Sequence, residues 1–214
     1  MRLDKFLAER FSSRTKAARA IGKGLVTVNG KAASAATEVF GNEDIRVEEE
    51  NAFVSEGGAK LEKALSEFGA DVSGKVFADL GASTGGFTDC LLRRGAARVF
   101  AADVGTSQLA ASLAADARVT VMDGVNARYL RADDFPCPLD GVTADLSFIS
   151  LGLVLPAVAG LLAEEKEAYV LVKPQFECGG KGQNRRGIVT DAAARRAAVE
   201  KVAAEAEGCG FRVG

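Results

Sequence analysis

The sequence predicts an α/β protein, in which a parallel sheet with helices on both faces follows a small α+β domain. From residue 60 onward, apolar runs alternate with helical patterns, as they do in doubly wound sheets. The first of these runs leads into a glycine-rich segment and then a helical pattern, the layout of a nucleotide-binding unit. The first 31 residues differ in character, because they carry eight basic residues against two acidic ones.

The small domain is predicted to contain two helices followed by short strands. Four apolar residues recur at helical spacing in the first helix: Leu3, Phe6, Leu7 and Phe11. Ser13 or Thr15 is placed to cap the second helix. A strand over residues 25–28 then precedes a tight turn at Asn29-Gly30, and residues 45–47 return as a strand.

The basic face of this small domain suits a polyanionic partner. Its pattern resembles the S-four-type RNA-binding domain, and residues 2–7, 13–17 and 24–31 carry the resemblance. The resemblance implies ribosomal RNA or a ribosomal subunit as the partner. It also implies a set of RNA-binding residues: Arg2, Lys5, Arg14, Lys16, Arg19, Lys23, Asn29 and Lys31.

The rest of the chain is predicted to form the second domain. Residues 51–58 are polar and end in two glycines, so we expect a linker between domains over residues 1–50 and 59–214. An amphipathic helix follows, with apolar positions at Leu61, Ala64, Leu65 and Phe68. The candidate strands cover residues 75–80, 98–103, 118–122, 141–146 and 168–173. A long alanine-rich helix over residues 192–207 has Thr190 or Asp191 as its cap.

One uncharged segment, residues 146–163, is near the lower length limit for a membrane span. Ser147, Gly152 and Pro156 interrupt it, so we expect a strand end that turns into a core-facing helix, and no membrane partner. The four cysteines form no C-x-x-C pair and the chain has no histidine, so neither a zinc site nor a disulfide framework is expected. We therefore expect no metal and a reducing, cytoplasmic location.

The most specific chemical signal is the glycine-rich segment at residues 79–88, which reads Asp-Leu-Gly-Ala-Ser-Thr-Gly-Gly-Phe-Thr. It lacks the G-x-G-x-x-G spacing of dinucleotide sites and the lysine of a triphosphate loop. Its Gly-Ala-Ser-Thr-Gly part matches a hydrolase nucleophile elbow, but a chain without histidine cannot assemble a Ser-His-Asp triad. Asp79 suits a ligand with an amino-acid cation, and Asp103, 24 residues further on, suits a ribose. A turn that only packs a helix on the sheet is the alternative.

Charged residues fall where the five predicted strands end: Asp79, Asp103, Asp123, Asp145 and Lys173. Ligands of doubly wound sheets bind beyond the carboxyl ends of the strands, so we expect these side chains to surround one site. The amino-acid cation that suits Asp79 is found in S-adenosylmethionine. Asp123 would then lie near the adenine of this ligand, and Asp145 and Lys173 near its sulfonium.

Six motifs, in order along the chain, resemble the TlyA-type family, the hemolysin-named branch of the FtsJ-like ribose methyltransferases. They cover residues 55–61, 79–89, 103–105, 126–128, 145–151 and 171–177. The resemblance implies a Rossmann-like domain that uses S-adenosylmethionine to methylate a cytidine ribose 2′-hydroxyl in ribosomal RNA. The implied donor-binding residues are Asp79, Gly81, Ala82, Ser83, Thr84, Gly85, Gly86, Phe87, Asp103, Val104, Asp123, Gly124 and Asp145.

The family uses a Lys-Asp-Lys-Glu tetrad, and three of its members match Lys60, Asp145 and Lys173. A ribose hydroxyl is a weak acid, so its attack on a methyl group needs a base and an in-line geometry. A lysine can serve as this base when burial or a second cation favours its neutral form. The resemblance implies that the glutamate of the tetrad and the last strands of the domain would follow residue 214.

Two other functions stay open at this point. A non-catalytic RNA-binding or ribosome-assembly protein with a residual donor pocket would share most of these motifs, and only methyl transfer separates it from an enzyme. The name hemolysin implies a membrane-lytic activity, but the sequence offers neither a basic amphipathic helix of the expected kind nor a convincing span.

Overall fold

The computed structural model describes residues 1–11, 13–47, 53–179, 182–184 and 186–214. The chain divides into two units, Met1–Ala52 and Phe53–Gly214. The first residues of the predicted linker, 51 and 52, lie outside the described residues.

The first unit contains two helices and a small antiparallel sheet. Its elements are α1 (Leu3–Phe6), α2 (Arg14–Gly22), β1 (Val26–Val28), β2 (Lys31–Ala32) and β3 (Ile45–Val47), with strand order β2-β1-β3. The Ser13 hydroxyl accepts a hydrogen bond from the Lys16 backbone N–H, so Ser13, not Thr15, caps α2. Asn29 and Gly30, with φ of 51° and 74°, form the predicted turn between β1 and β2.

The core of the first unit is assembled from both helices, β1 and Val39. Leu3 and Leu7 point into it, as the helical spacing predicts. Phe6 shares this helical spacing but is 42% exposed. A helix of one turn buries only a narrow face, and Leu3 and Leu7 already occupy that face.

The second unit is built on a five-stranded parallel sheet. The strands are β4 (Val76–Leu80), β5 (Arg98–Asp103), β6 (Val119–Asp123), β7 (Leu139–Ala144) and β8 (Leu162–Val170). Their order is β6-β5-β4-β7-β8, and each neighbouring pair is parallel. The order reverses direction between β4 and β7, and this switch point opens a crevice at the carboxyl ends of the strands.

Helices cover both faces of this sheet. They are α3 (Glu56–Glu67), α4 (Gly86–Arg93), α5 (Ala111–Ala114), α6 (Leu155–Leu161), α7 (Pro174–Glu177) and α8 (Ala192–Gly208). Phe77 of β4 packs in a cluster with residues of α3 and α4, whereas its neighbour Ala78 packs in a cluster with residues of α6. Since alternate strand residues point to opposite faces, the two clusters lie on the two sides of the sheet. Asp191 caps α8 by accepting hydrogen bonds from the N–H groups of Ala193 and Ala194.

The helix after the predicted linker begins earlier than expected. α3 starts at Glu56, so residues 56–58 belong to a helix and not to the linker. Gly58, one of the two glycines that suggested a linker, serves close packing instead, because a Cβ there would overlap the ring of Phe53. Phe68, predicted to face the core, caps the end of α3 and is 63% exposed.

The last two strands are also shifted from their predicted positions. β7 ends at Ala144, so Asp145 is the first residue after the strand. β8 begins at Leu162 and ends at Val170, three residues before Lys173. The first half of β8 was not predicted, because its charged residues 164–167 are exposed at the edge of the sheet and follow no apolar pattern.

The uncharged segment 146–163 contains the seven-residue helix α6 and the first residues of β8. Val158 and Leu161 of α6 pack in the core, which confirms the predicted core-facing helix. Across the residues that the structure describes, no helix has the length and apolar character needed to cross a membrane.

Candidate functional site

The glycine-rich turn connects β4 to α4 at the carboxyl edge of the sheet. Its backbone has a positive φ at Gly81, Ser83 and Gly85, of 79°, 49° and 97°. A Cβ at Gly81 would lie only 3.0 Å from the backbone oxygen of Asp145, and one at Gly85 would overlap the Leu113 side chain. Glycine is therefore needed at both positions, and the resulting turn is compact enough for its backbone to meet a ligand.

Asp79 lies beneath this turn and does not line the cleft. The residue is fully buried, and its carboxylate accepts hydrogen bonds from Thr88 Oγ1 at 2.7 Å and Thr143 Oγ1 at 3.0 Å. Burial raises the pKa of Asp79 to about 6. The prediction that this carboxylate faces the cation of a ligand is therefore corrected: it joins β4 to α4 and β7 and so supports the turn from below.

Asp103, at the end of β5, holds two loops together beside the cleft. One carboxylate oxygen accepts a hydrogen bond from the Ser83 N–H and the other from the Gly105 N–H, both at 2.8 Å. Because each carboxylate oxygen has two lone pairs, both can still accept a hydrogen bond from a hydroxyl in the cleft. The ribose contact expected for Asp103 stays a prediction.

Asp123 and Gly124 support the neighbouring loop and do not line the cleft. The Asp123 carboxylate accepts a hydrogen bond from the Ser107 N–H at 2.9 Å. The Gly124 N–H donates to the Gly105 backbone oxygen at 3.2 Å. The cleft lining next to this loop includes Val104 and Val125, and the adenine contact expected of Asp123 stays a prediction.

A cleft of about 490 Å³ opens at the switch point of the sheet. It is lined by Gly81, Ser83, Asp103, Val104, Gln108, Val125, Asn126, Ala127, Asp145, Leu146, Ser147, Phe148, Ile149 and Val154. Five predicted residues are among them: Gly81, Ser83, Asp103, Val104 and Asp145. The other predicted members of the glycine-rich segment build the turn and the start of α4 outside this lining: Ala82, Thr84, Gly85, Gly86 and Phe87.

Asp145 lies between two lysines at one side of this cleft. Lys173 Nζ is 2.5 Å from Asp145 Oδ1, and Lys60 Nζ is 4.0 Å from Asp145 Oδ2. The Lys173 side chain is 18% exposed and that of Lys60 is 52% exposed, so Lys173 is the more shielded of the two. The fold thus brings together three predicted residues from α3, the end of β7 and the segment after β8.

Sequence reasoning missed two residues of the loop after β7. Ser147 Oγ accepts a hydrogen bond from Lys173 Nζ at 2.8 Å, which places the hydroxyl directly on the cluster. Phe148 is 92% exposed, has a φ of 64°, and its ring centroid lies 5.3 Å from that of Phe176. Both residues stand in an uncharged run that reads as core, and the signal that could have found them is the motif over residues 145–151.

The predicted RNA-binding residues of the first unit differ in their environments. All are exposed: Arg2, Lys5, Arg14, Lys16, Arg19, Lys23, Asn29 and Lys31. Arg2 and Arg14 also pair with Asp4, at 3.1 and 3.0 Å. The Asn29 side chain accepts a hydrogen bond from the Asp44 N–H at 2.9 Å, so it also shapes the turn.

Similarity to known proteins covers both units of the chain. Residues 53–214 match the FtsJ-like methyltransferase family, and residues 1–45 match the S4 domain family. The 16S/23S rRNA (cytidine-2′-O)-methyltransferase TlyA of Mycobacterium tuberculosis is 47% identical over 203 residues, which cover 93% of this chain and 75% of that protein. Hemolysin A of Brachyspira hyodysenteriae is 38% identical over 216 residues, covering 99% of this chain and 90% of that protein.

The solved structures agree with this relationship. A protein described as a hemolysin from Streptococcus thermophilus is 38% identical to this chain, with a TM-score of 0.74. The match covers 100% of this chain and 80% of the Streptococcus protein. A second hemolysin-named protein, from Lactococcus lactis, is 44% identical with a TM-score of 0.72, covering 75% of this chain and 77% of that one. The chain therefore belongs to the FtsJ-like methyltransferase family, as a TlyA-type member that also carries an S4 domain.

Proposed function

We propose that this protein transfers a methyl group from S-adenosylmethionine to a ribose 2′-hydroxyl of ribosomal RNA, a cytidine ribose as in its TlyA relative. The observation that carries the proposal is the Lys60–Asp145–Lys173 cluster at the edge of the donor-sized cleft. The family match and the printed activity of the TlyA relative support the same reaction.

The residues around the cleft fit such a donor. Its volume of about 490 Å³ is within the range of small-molecule sites, and positive-φ positions at Gly81 and Ser83 bring backbone to its wall. Asp103 offers acceptors for ribose hydroxyls, and Val104, which is 68% exposed, offers an apolar surface for a base. When bound, the donor supplies an electrophilic methyl group on a sulfonium. The Asp145 carboxylate supplies negative charge beside that cation.

Lys173 is the base in this proposal. In its neutral form, its Nζ would take the proton of the 2′-hydroxyl while the methyl carbon passes to the ribose oxygen from the sulfonium sulfur, which leaves as a thioether. Asp145 and Ser147 fix the position of this nitrogen through contacts of 2.5 and 2.8 Å. Lys60 Nζ lies 4.0 Å from the other oxygen of Asp145 and adds a second positive charge beside this carboxylate.

Phe148 is placed to hold the target nucleotide. A side chain that is 92% exposed in the lining of the cleft offers a π-face, and an unstacked base can pack on such a ring. The basic S4 domain supplies the remaining affinity through phosphate contacts that carry no sequence information.

Replacement of Lys173 by methionine tests the proposal. Methionine keeps the apolar stem and removes the amine, so we expect methyl transfer to fall by at least about 100-fold while donor affinity changes little. The measurement is transfer of labelled methyl to unmodified ribosomal subunits, with location of the label on the ribose. Lys166→Met is the matched control, because Lys166 also pairs with an aspartate, Asp140, but lies outside the cleft lining.

Two results would refute parts of this proposal. A wild-type protein that binds the donor but labels no ribose would indicate a non-catalytic RNA-binding role. A Lys173→Met protein that loses donor binding as strongly as methyl transfer would show that Lys173 serves binding and not proton transfer.

A further inference from the structure

Two segments that contribute to the Lys–Asp–Lys cluster contact each other at three places. One segment is the loop over residues 145–151, and the other is residues 173–177, which comprise Lys173 and α7. The contacts are Lys173 with Asp145 and Ser147, the Phe176 ring with the Phe148 ring, and Glu177 with Ser150 and Leu151. The first contact belongs to the proposed chemistry, whereas the last lies furthest from it.

Glu177 makes this last contact as a buried carboxylate. The residue is 7% exposed, and it accepts hydrogen bonds from Ser150 Oγ at 2.6 Å and the Leu151 N–H at 2.8 Å. Lys201 Nζ of α8 lies 3.1 Å from the same carboxylate. A buried charge is costly to desolvate even when it is paired, so packing alone does not call for a glutamate here.

The loop held by Glu177 needs a restraint, because part of it has an unfavourable conformation. Phe148 adopts a φ of 64°, which costs a bulky residue on the order of 1 kcal/mol or more and persists only if the surroundings enforce it. The neighbouring Ser147 must keep its hydroxyl 2.8 Å from Lys173 Nζ. Glu177 fixes the far end of the same loop at Ser150 and Leu151.

We infer that Glu177 is a positioning residue for methyl transfer, which acts through the 147–151 loop to hold the Ser147 hydroxyl against Lys173 Nζ. The inference rests on the proposed function. A hydroxyl can both accept and donate a hydrogen bond, whereas the Asp145 carboxylate only accepts. Ser147 can therefore stay bonded to Nζ before and after that nitrogen takes the ribose proton.

The test replaces Glu177 by glutamine in the full chain. Glutamine keeps the shape but removes the charge, so the loop is held less firmly. We expect kcat for labelled methyl transfer to unmodified ribosomal subunits to fall about tenfold, with KM for the subunits and the dissociation constant of S-adenosylmethionine unchanged. The matched control is Asp140→Asn, because Asp140 also bonds a lysine and a backbone N–H, Lys166 at 2.7 Å and Val76 at 3.0 Å, near the opposite end of β7. Its kcat should stay within about twofold of wild type.

A double-mutant cycle with Ser147→Ala tests the route of the effect. If Glu177 acts through Ser147, each single variant and the double variant lose about tenfold, and not about 100-fold in the double. If Glu177→Gln does not fold, as judged by circular dichroism, Ser150→Ala takes its place, because it removes one hydrogen bond to the same carboxylate. The same decrease in kcat, smaller in size, is then expected.

Several results would overturn the inference. One is a folded Glu177→Gln or Ser150→Ala protein with wild-type kcat. Another is a double variant in which the two losses of kcat multiply. A third is a Glu177→Gln protein whose affinity for S-adenosylmethionine falls as much as its kcat. Each of these leaves methyl transfer by the wild type intact, so the proposed function survives. A wild type that transfers no methyl refutes the proposed function and the inference with it.

Discussion

Asp79 lies near the end of β4, and Asp145 is the first residue after the neighbouring strand β7. The environments of the two carboxylates differ. Asp79 is fully buried, and two threonine hydroxyls are its partners. The Asp145 side chain is 20% exposed and faces two lysines. Hydroxyls donate to a carboxylate but bring no positive charge, so burial dominates at Asp79 and raises its pKa to about 6.

This raised pKa predicts a dependence of stability on pH. The unfolded chain ionises Asp79 near pH 4, whereas the folded protein keeps the proton up to about pH 6. The folded state therefore binds more protons between these values, and its free energy of unfolding falls as the pH rises through them, by roughly 3 kcal/mol. Asp79→Asn removes this decrease, because an amide has no proton to lose. Urea unfolding of both proteins at pH 4 to 7 measures the difference.

Asp4 provides a control of opposite sign for this experiment. Hydrogen bonds from Arg2 hold the pKa of Asp4 at about 2, below its unfolded value. Its contribution to stability is therefore complete above about pH 4 and disappears only as the pH falls toward 2. Asp4→Asn should leave the slope between pH 4 and 6 unchanged. Parallel curves for wild type and Asp79→Asn in that window would contradict the Asp79 prediction.

The sequence predicted where the residues of the candidate site lie in the fold, but it did not predict how exposed their side chains are. The ends of the strands identified Asp145 and Lys173, because they meet at one edge of the sheet, whereas Lys60 of α3 was identified only by its family motif. Burial of Asp79 depends on Thr143 of the adjacent strand and Thr88 of α4, which no local pattern connects to it. The exposure of Phe148 depends on a positive φ that its residue type does not suggest.

At the scale of elements, close packing of α3 against α4 fixes the glycine-rich turn. A Cβ at Gly86 would overlap Ser55 Oγ and lie 2.9 Å from the Gly58 backbone nitrogen. Backbone atoms cannot rotate away, so any side chain at Gly86 must push the two helices apart. Since α4 begins at Gly86, this displacement would reach the turn that lines the cleft.

A pair of alanine substitutions tests this packing. Gly86→Ala should lower the free energy of unfolding by about 1–3 kcal/mol, through overpacking, and weaken donor binding. Gly160→Ala in α6 meets no atom within 4 Å and should raise stability by about 0.5–1 kcal/mol, because alanine favours helix. Urea unfolding and equilibrium binding of S-adenosylmethionine give both readouts. A Gly86→Ala protein as stable as Gly160→Ala would exclude a close helix contact at this position.

Elements with a clear apolar pattern were predicted well, and those exposed to solvent were not. β4 and β5 lie between other strands and read as apolar runs, so their predicted and observed bounds differ by at most one residue. β8 lies at the edge of the sheet, and its charged residues 164–167 are exposed. Edge strands need no apolar side chains there, so the start of β8 was not visible in the sequence.

At the scale of the whole molecule, charge is distributed unevenly between the two units. The first 31 residues carry a surplus of six positive charges, whereas the complete chain has a net charge of −2. An acidic protein repels RNA at long range, so binding has to be concentrated on its basic face. Lys5, Lys16 and Lys31 are exposed lysines of the first unit.

Salt dependence can show whether these lysines contact phosphates. Replacing Lys5, Lys16 and Lys31 together by glutamine should weaken binding to ribosomal RNA and reduce the slope of log affinity against log salt by about 2 to 3, if each lysine neutralises one phosphate. The matched control replaces three lysines of the second unit, Lys63, Lys75 and Lys166, and changes the net charge by the same amount. If affinity depended only on net charge, both triple variants would bind equally. A reduced slope for the first set alone would locate RNA docking on the S4 domain, and equal slopes would reject that location.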